Sequence, residues 1–132
     1  MERPDDPYCT LYVNHGENHK NKYESIRNLK QEIEILTESK AIENWTIKTK
    51  HLDIIINFNE TYSRSETALG HFTEYPFYLE VDFGDEVGWD ETFAVFCDLI
   101  RHLRTRGANA VPACDFEEEI EAKIGKDSMP WM

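Results

Sequence analysis

Between Tyr75 and Arg106 the chain changes its apolar period once, and that change restricts the folds open to it. Phe77, Leu79, Val81 and Phe83 alternate with Tyr78, Glu80 and Asp82, the two-residue repeat of a strand with one face buried. After a short acidic turn, Trp89, Phe93, Phe96, Ile100 and Leu103 recur at steps of four, three, four and three residues, the apolar stripe of a helix. Gly107 ends that helix as a left-handed cap would, and Arg101, Arg104 and Arg106 stand in its last turns, where positive charge suits the helix dipole. This strand–helix unit should hold the core, and other segments must supply the remaining strands.

Tyr8 to Val13 alternates in the same way, with Cys9, Leu11 and Val13 on one face and Tyr8, Thr10 and Tyr12 on the other. Lys22 to Ser39 carries a helical stripe of Tyr23, Ile26, Leu29, Ile33 and Leu36. Trp45 to Phe58 is rich in Ile, Thr and aromatic residues and reads as one long strand, with a bulge or bend near His51. Ala108 to Cys114 is a short fourth strand. Pro112 cannot donate to a ladder, which makes it an edge. Asp115 and Glu118 form a capping-box-like start to a last helix that stops at Gly125. Asn14–Asn21 and Asn59–Glu74 are polar connections.

The order strand, helix, strand occurs twice. It predicts an α+β fold, a ferredoxin-like split βαβ sandwich. The sheet would have four antiparallel strands, the first and third central, with two helices on one face and a short C-terminal helix beyond. A length of 132 residues fits a single domain over 1–132, with 1–7 and 126–132 as flexible tails. A chain of this size can bury a core without disulfides or metal.

The net charge of −12 is unevenly placed. Residues 1–64 carry 11 acids against 9 Lys and Arg; residues 65–132 carry 15 against 5. Such a field repels nucleic acid and anionic membrane and attracts a basic protein, a cation or a cationic ligand. No apolar run approaches the ~20 residues of a spanning helix, and the charged start MERPDDPY lacks an apolar signal core. The three cysteines, Cys9, Cys97 and Cys114, are odd in number, widely spaced and set in apolar patterns. They read as buried structural thiols in a reducing cytoplasm rather than as a disulfide framework.

No catalytic signature is present: the chain lacks G-x-S-x-G, a P-loop, G-x-G-x-x-G and H-E-x-x-H. His15 and His19 are four apart but have no third ligand at a metal-site spacing, and Cys97 and His102 lie on one helix without a supporting partner. Neither a cofactor nor a metal is expected. The specific feature is the sheet face away from the helices, where Tyr8, Thr10, Tyr12, Tyr78, Glu80 and Asp82 should look outward. RNA-binding domains of the expected architecture also place aromatics there, but among basic residues rather than acids. Asp82, Asp85, Glu86, Asp90 and Glu91 cluster around the strand-to-helix turn without EF-hand spacing; acids there also suit the helix dipole. The run Asp115–Glu121 would enlarge the same negative surface.

Tyr75-Pro76, Leu79-Glu80-Val81, the amphipathic helix, Gly107 and Ala110-Val111-Pro112-Ala113-Cys114-Asp115-Phe116-Glu117-Glu118 together make a pattern. It resembles small uncharacterised bacterial cytosolic proteins, some of which look like immunity proteins of toxin–immunity pairs. Relatives of that pattern carry a small residue where Pro112 stands here. The resemblance implies a partner-binding protein rather than an enzyme.

The leading expectation is therefore a small acidic, non-catalytic binding protein that blocks a basic partner such as a nuclease toxin, through Tyr12, Tyr78, Glu80, Asp82, Asp85, Glu86 and Asp90. Two other readings stay open. One is a small-molecule or metal-dependent enzyme with the 59–74 loop as a lid; the other is a self-associating module that forms a homodimer through its sheet.

Overall fold

A computed structural model describes residues 2–14, 22–43, 45–59 and 75–125. The strands are β1 (Tyr8–Asn14), β2 (Thr46–Lys48), β3 (Leu52–Phe58), β4 (Phe77–Phe83) and β5 (Asn109–Ala113). The helices are α1 (Lys22–Thr37), α2 (Trp89–Thr105) and α3 (Glu117–Ile124). The fold is α+β, with one five-stranded antiparallel sheet ordered β2-β3-β4-β1-β5.

This is not the four-stranded ferredoxin-like sheet expected from the sequence. The segment 45–58 is not one bent strand but a hairpin of β2 and β3, which adds β2 as a fifth strand at the edge beyond β3. The turn is built by Thr49. Its hydroxyl oxygen accepts the amide N–H groups of His51 (3.1 Å) and Leu52 (2.9 Å), and its own N–H donates to the Leu52 carbonyl at 2.8 Å. Gly84 locks the turn to β4 by donating its N–H to the His51 carbonyl at 2.7 Å. A Cβ at Gly84 would come within 3.1 Å of the Lys50 carbonyl oxygen and 3.2 Å of that of His51, so the close approach requires glycine.

Strand alternation sets the layers. Cys9, Leu11 and Val13 of β1, Leu52, Ile54 and Ile56 of β3, and Phe77, Leu79, Val81 and Phe83 of β4 are buried on one face. The same core takes in Ile26, Leu29 and Ile33 of α1, Phe93, Phe96, Ile100 and Leu103 of α2, and Phe116 and Ile120 around α3. All three helices therefore cover one side of the sheet. β1 and β4 lie inside the sheet, and Pro112, opposite Leu11, lies in the edge strand β5, where its missing N–H leaves no ladder partner unsatisfied inside the sheet.

The helix ends follow from local chemistry. At the end of α2, Gly107 has φ +92°, and the amides of Gly107 and Ala108 reach back to the carbonyls of Arg104 (3.1 Å) and Leu103 (3.0 Å). α1 closes in the same way on Glu38, at φ +55°, with Ser39 donating to the Glu34 carbonyl at 3.1 Å. At α3 the expected Asp115–Glu118 capping pair does not form. The N-cap residue is Phe116, and Glu117 instead accepts the Cys114 amide at 3.0 Å. One buried ion pair joins these helices: Arg104, inside the core, donates to the Ala110 carbonyl through Nε (3.1 Å) and Nη2 (2.9 Å) and to Glu121 Oε1 (3.2 Å). Residues 15–21 of the expected connection 14–21, residues 60–74 of the expected lid 59–74 and the tail 126–132, with His15, His19, His71 and Trp131, lie outside the described residues.

Candidate functional site

The face of the sheet turned away from the helices carries the alternate residues of the same strands, and the register arranges them in cross-strand rows. One row runs Lys48, Asp53, Asp82, Tyr8. The next runs Thr46, Ile55, Glu80, Thr10, Ala113, and a third Asn57, Tyr78, Tyr12, Val111. Tyr8 and Asp82 are exposed, while Tyr12, Tyr78, Glu80, Asp53 and Ile55 are half-buried.

Glu80 is held from both sides. Tyr8 donates its hydroxyl to Glu80 Oε1 at 3.4 Å, and Asn57 donates its amide to Oε2 at 3.2 Å. Thr10 in turn donates to the Tyr8 hydroxyl at 3.4 Å. Burial pushes the Tyr8 phenol above its ordinary pKa, and the Glu80 and Asp82 carboxylates add to that push, so it stays a neutral donor. The Tyr12 and Tyr78 rings lie 6.2 Å apart, tilted by 43°. Asp53 and Asp82 stand directly opposite one another, and like charges in that position destabilise a strand pair.

Of the seven residues expected to bind a partner, Tyr12, Tyr78, Glu80 and Asp82 share this face. Asp85 and Glu86 are exposed in the turn that follows β4. Asp90 stands in the first turn of α2, on the helix layer, and is not part of the face. The second acidic run comes close to that turn, because Phe116 packs its ring on Phe83, Trp89 and Phe93 at 5.5, 5.9 and 6.2 Å. Arg3 also reaches the turn from far along the chain. It donates to the Gly84 carbonyl at 2.9 Å and the Phe83 carbonyl at 3.3 Å, with its guanidinium 5.7 Å from the Trp89 ring centre.

Sequence reasoning missed Asp53, Ile55 and Asn57, which reach the face only through the pairing of β3 with β4. Elsewhere, a crevice of about 290 Å³ between the end of α1, the β2–β3 turn and α2 is lined by His51, Asp98 and His102, among others. His51 Nε2 lies 2.7 Å from Glu91 Oε2, and that hydrogen bond holds the Glu91 carboxyl below its ordinary pKa. Among the described residues, no group of three or more His, Cys, Asp or Glu is placed to hold a metal ion. Cys97 is buried in the core while His102 is exposed, so the two do not make a nucleophile pair. Cys9 and Cys97 are buried as expected; Cys114 is only half-buried. No described helix is long and apolar enough to cross a membrane. No family model, curated protein or solved structure matches the chain.

Proposed function

We propose that the protein is a small non-catalytic binding module of the bacterial cytoplasm, and that the outer sheet face docks on a basic protein surface such as the cleft of a nuclease-type toxin. The observation that carries this reading is the opposed pair Asp53 and Asp82, set beside Glu80 and a tyrosine pair. Lys48 stands opposite Asp53 on its other side, but Asp82 has no cation across from it, so the row keeps a negative excess that a cationic partner would meet. Tyr12 and Tyr78 supply large, rotationally restricted contact area, and Glu80 is already oriented by Tyr8 and Asn57. The mechanism is steric and electrostatic: negative charge speeds encounter, and the tyrosines anchor the complex.

The test compares the native chain with Tyr12→Ala/Tyr78→Ala and with Glu117→Gln/Glu118→Gln in pull-downs from the source cells at low and high salt. A bound basic protein should weaken with salt and lose about tenfold or more in affinity with the tyrosine pair. The α3 variant should retain it. A partner held equally by the tyrosine variant and lost with the α3 variant would overturn the assignment of the face.

A further inference from the structure

Cys9 and Cys114 are 105 positions apart in sequence and neighbours in space. The β1–β5 pairing ends with Thr10 opposite Ala113, and Cys9 and Cys114 are the next residues beyond that pair on the two chains. Both thiols are free and near enough to shift one another's ionisation, while the Cys9 thiol donates to the Thr10 carbonyl at 3.7 Å. Cys9 is sealed in the core, whereas Cys114 is half-buried beside a crevice of about 200 Å³ lined by residues 4–8 and 113–116. The last pair, Thr10 and Ala113, has the spacing of neighbouring antiparallel strands, Cα atoms about 4.5–5.5 Å apart, and the cysteines adjoin it; a disulfide spans about 4.4–6.8 Å. The fold thus holds two thiols in bonding register, one open to small reactants and one behind it.

We infer that Cys114 and Cys9 form a peroxide-reactive dithiol site, with Cys114 as the attacking thiol and Cys9 as the resolving one. The chemical asymmetry matches the geometric one. Cys114 is pulled below the ordinary thiol pKa by the neighbouring Cys9 thiol, helped by the Phe116 amide and opposed by burial and by Glu117 and Asp115. Cys9 is pushed up, first by the neighbouring Cys114 thiol and then by burial, and so keeps its proton until Cys114 has reacted. The crevice selects the oxidant. Asp5, Asp6 and Asp115 line it, which disfavours anionic disulfides such as oxidised glutathione and leaves a small neutral hydroperoxide as the substrate class.

In the first step the Cys114 thiolate attacks a peroxide oxygen. The O–O bond breaks, an S–O bond forms, and the leaving hydroxide takes a proton to become water. In the second step the Cys9 sulfur attacks the Cys114 sulfur. An S–S bond forms, the S–O bond breaks, and the hydroxide departs as water with the proton from Cys9. Two thiols and one hydrogen peroxide become one disulfide and two waters.

The test treats the folded protein with a stoichiometric amount of hydrogen peroxide, then counts thiols after denaturation and maps peptides by mass. Two of the three thiols should disappear, the product should be a Cys9–Cys114 linked peptide two hydrogens lighter, and a dithiol reductant should restore both. Cys97, pushed up to about 12 by burial, should remain a free thiol. In Cys9→Ser, Cys114 should accumulate as a sulfenic acid that dimedone traps. Retention of all three thiols, oxidation of Cys97 at the rate of Cys114, or direct overoxidation of Cys114 without linkage to Cys9 would overturn the inference. So would faster disulfide formation with oxidised glutathione than with an equal concentration of peroxide.

Discussion

The two faces of the sheet are made by the same strands and follow opposite rules. On the helix side, Cys9, Leu11, Val13, Ile54, Leu79 and Val81 are all at 0% exposure. On the outer side, one residue away along each strand, stand Tyr8 at 42% exposure, the half-buried Tyr12, Tyr78 and Glu80, and the exposed Asp82. The first face removes apolar area from water and supplies the stability of the fold. The second arranges hydroxyls and carboxylates in a fixed grid, including a like-charge opposition that stability alone would not favour. The comparison separates what holds the molecule together from what it presents.

The sharpest way to test this division is to truncate one side chain on each side. Phe96, fully buried and edge-on to Phe83 at 4.9 Å, should cost about 3–5 kcal/mol as Phe96→Ala in urea unfolding. Tyr78→Ala should cost about 1 kcal/mol or less, since its ring is only half-buried. Equal losses would erase the distinction. Arg104→Ala should cost about 3 kcal/mol, because it leaves Glu121 without its buried cation and the Ala110 carbonyl without its donor. A smaller effect belongs to the rim. The Glu91 carboxyl lies below its ordinary value in the folded protein, so the stability it contributes is present above that value and is lost as pH falls through the folded pKa. His51→Ala should return the Glu91 titration, followed by NMR, towards the ordinary carboxylate range.

The alternation that divides the faces was legible because each strand repeats it without interruption, as in Phe77 to Phe83. The cap at Gly107 was legible for the same local reason. The β2–β3 hairpin was not. Its turn contains no Gly, Pro or Asn and is closed by the hydroxyl of Thr49, a residue that otherwise reads as a strand former. Losing the hairpin cost the strand count and the identity of one sheet edge. Register was also hidden, and with it the meeting of Asp53 with Asp82 and of Cys9 with Cys114, since neither pair is near in sequence. Arg3 at Gly84 escaped notice because nothing in a polar lead-in marks its distant partner. The start of α3 was misplaced by the choice of capping acid: Glu117, not Glu118, reaches back.

The central claim is that the outer face keeps charges the fold itself would be better without. Asp82→Asn tests it most directly, through urea unfolding at low and at high salt. The account predicts a variant about 0.2–1 kcal/mol more stable than the native chain at low salt, with the gain shrinking as salt screens the Asp53–Asp82 repulsion. A variant less stable than the native chain at low salt would mean that Asp82 is held by attraction within the fold, and the face would lose its claim to await a cationic partner.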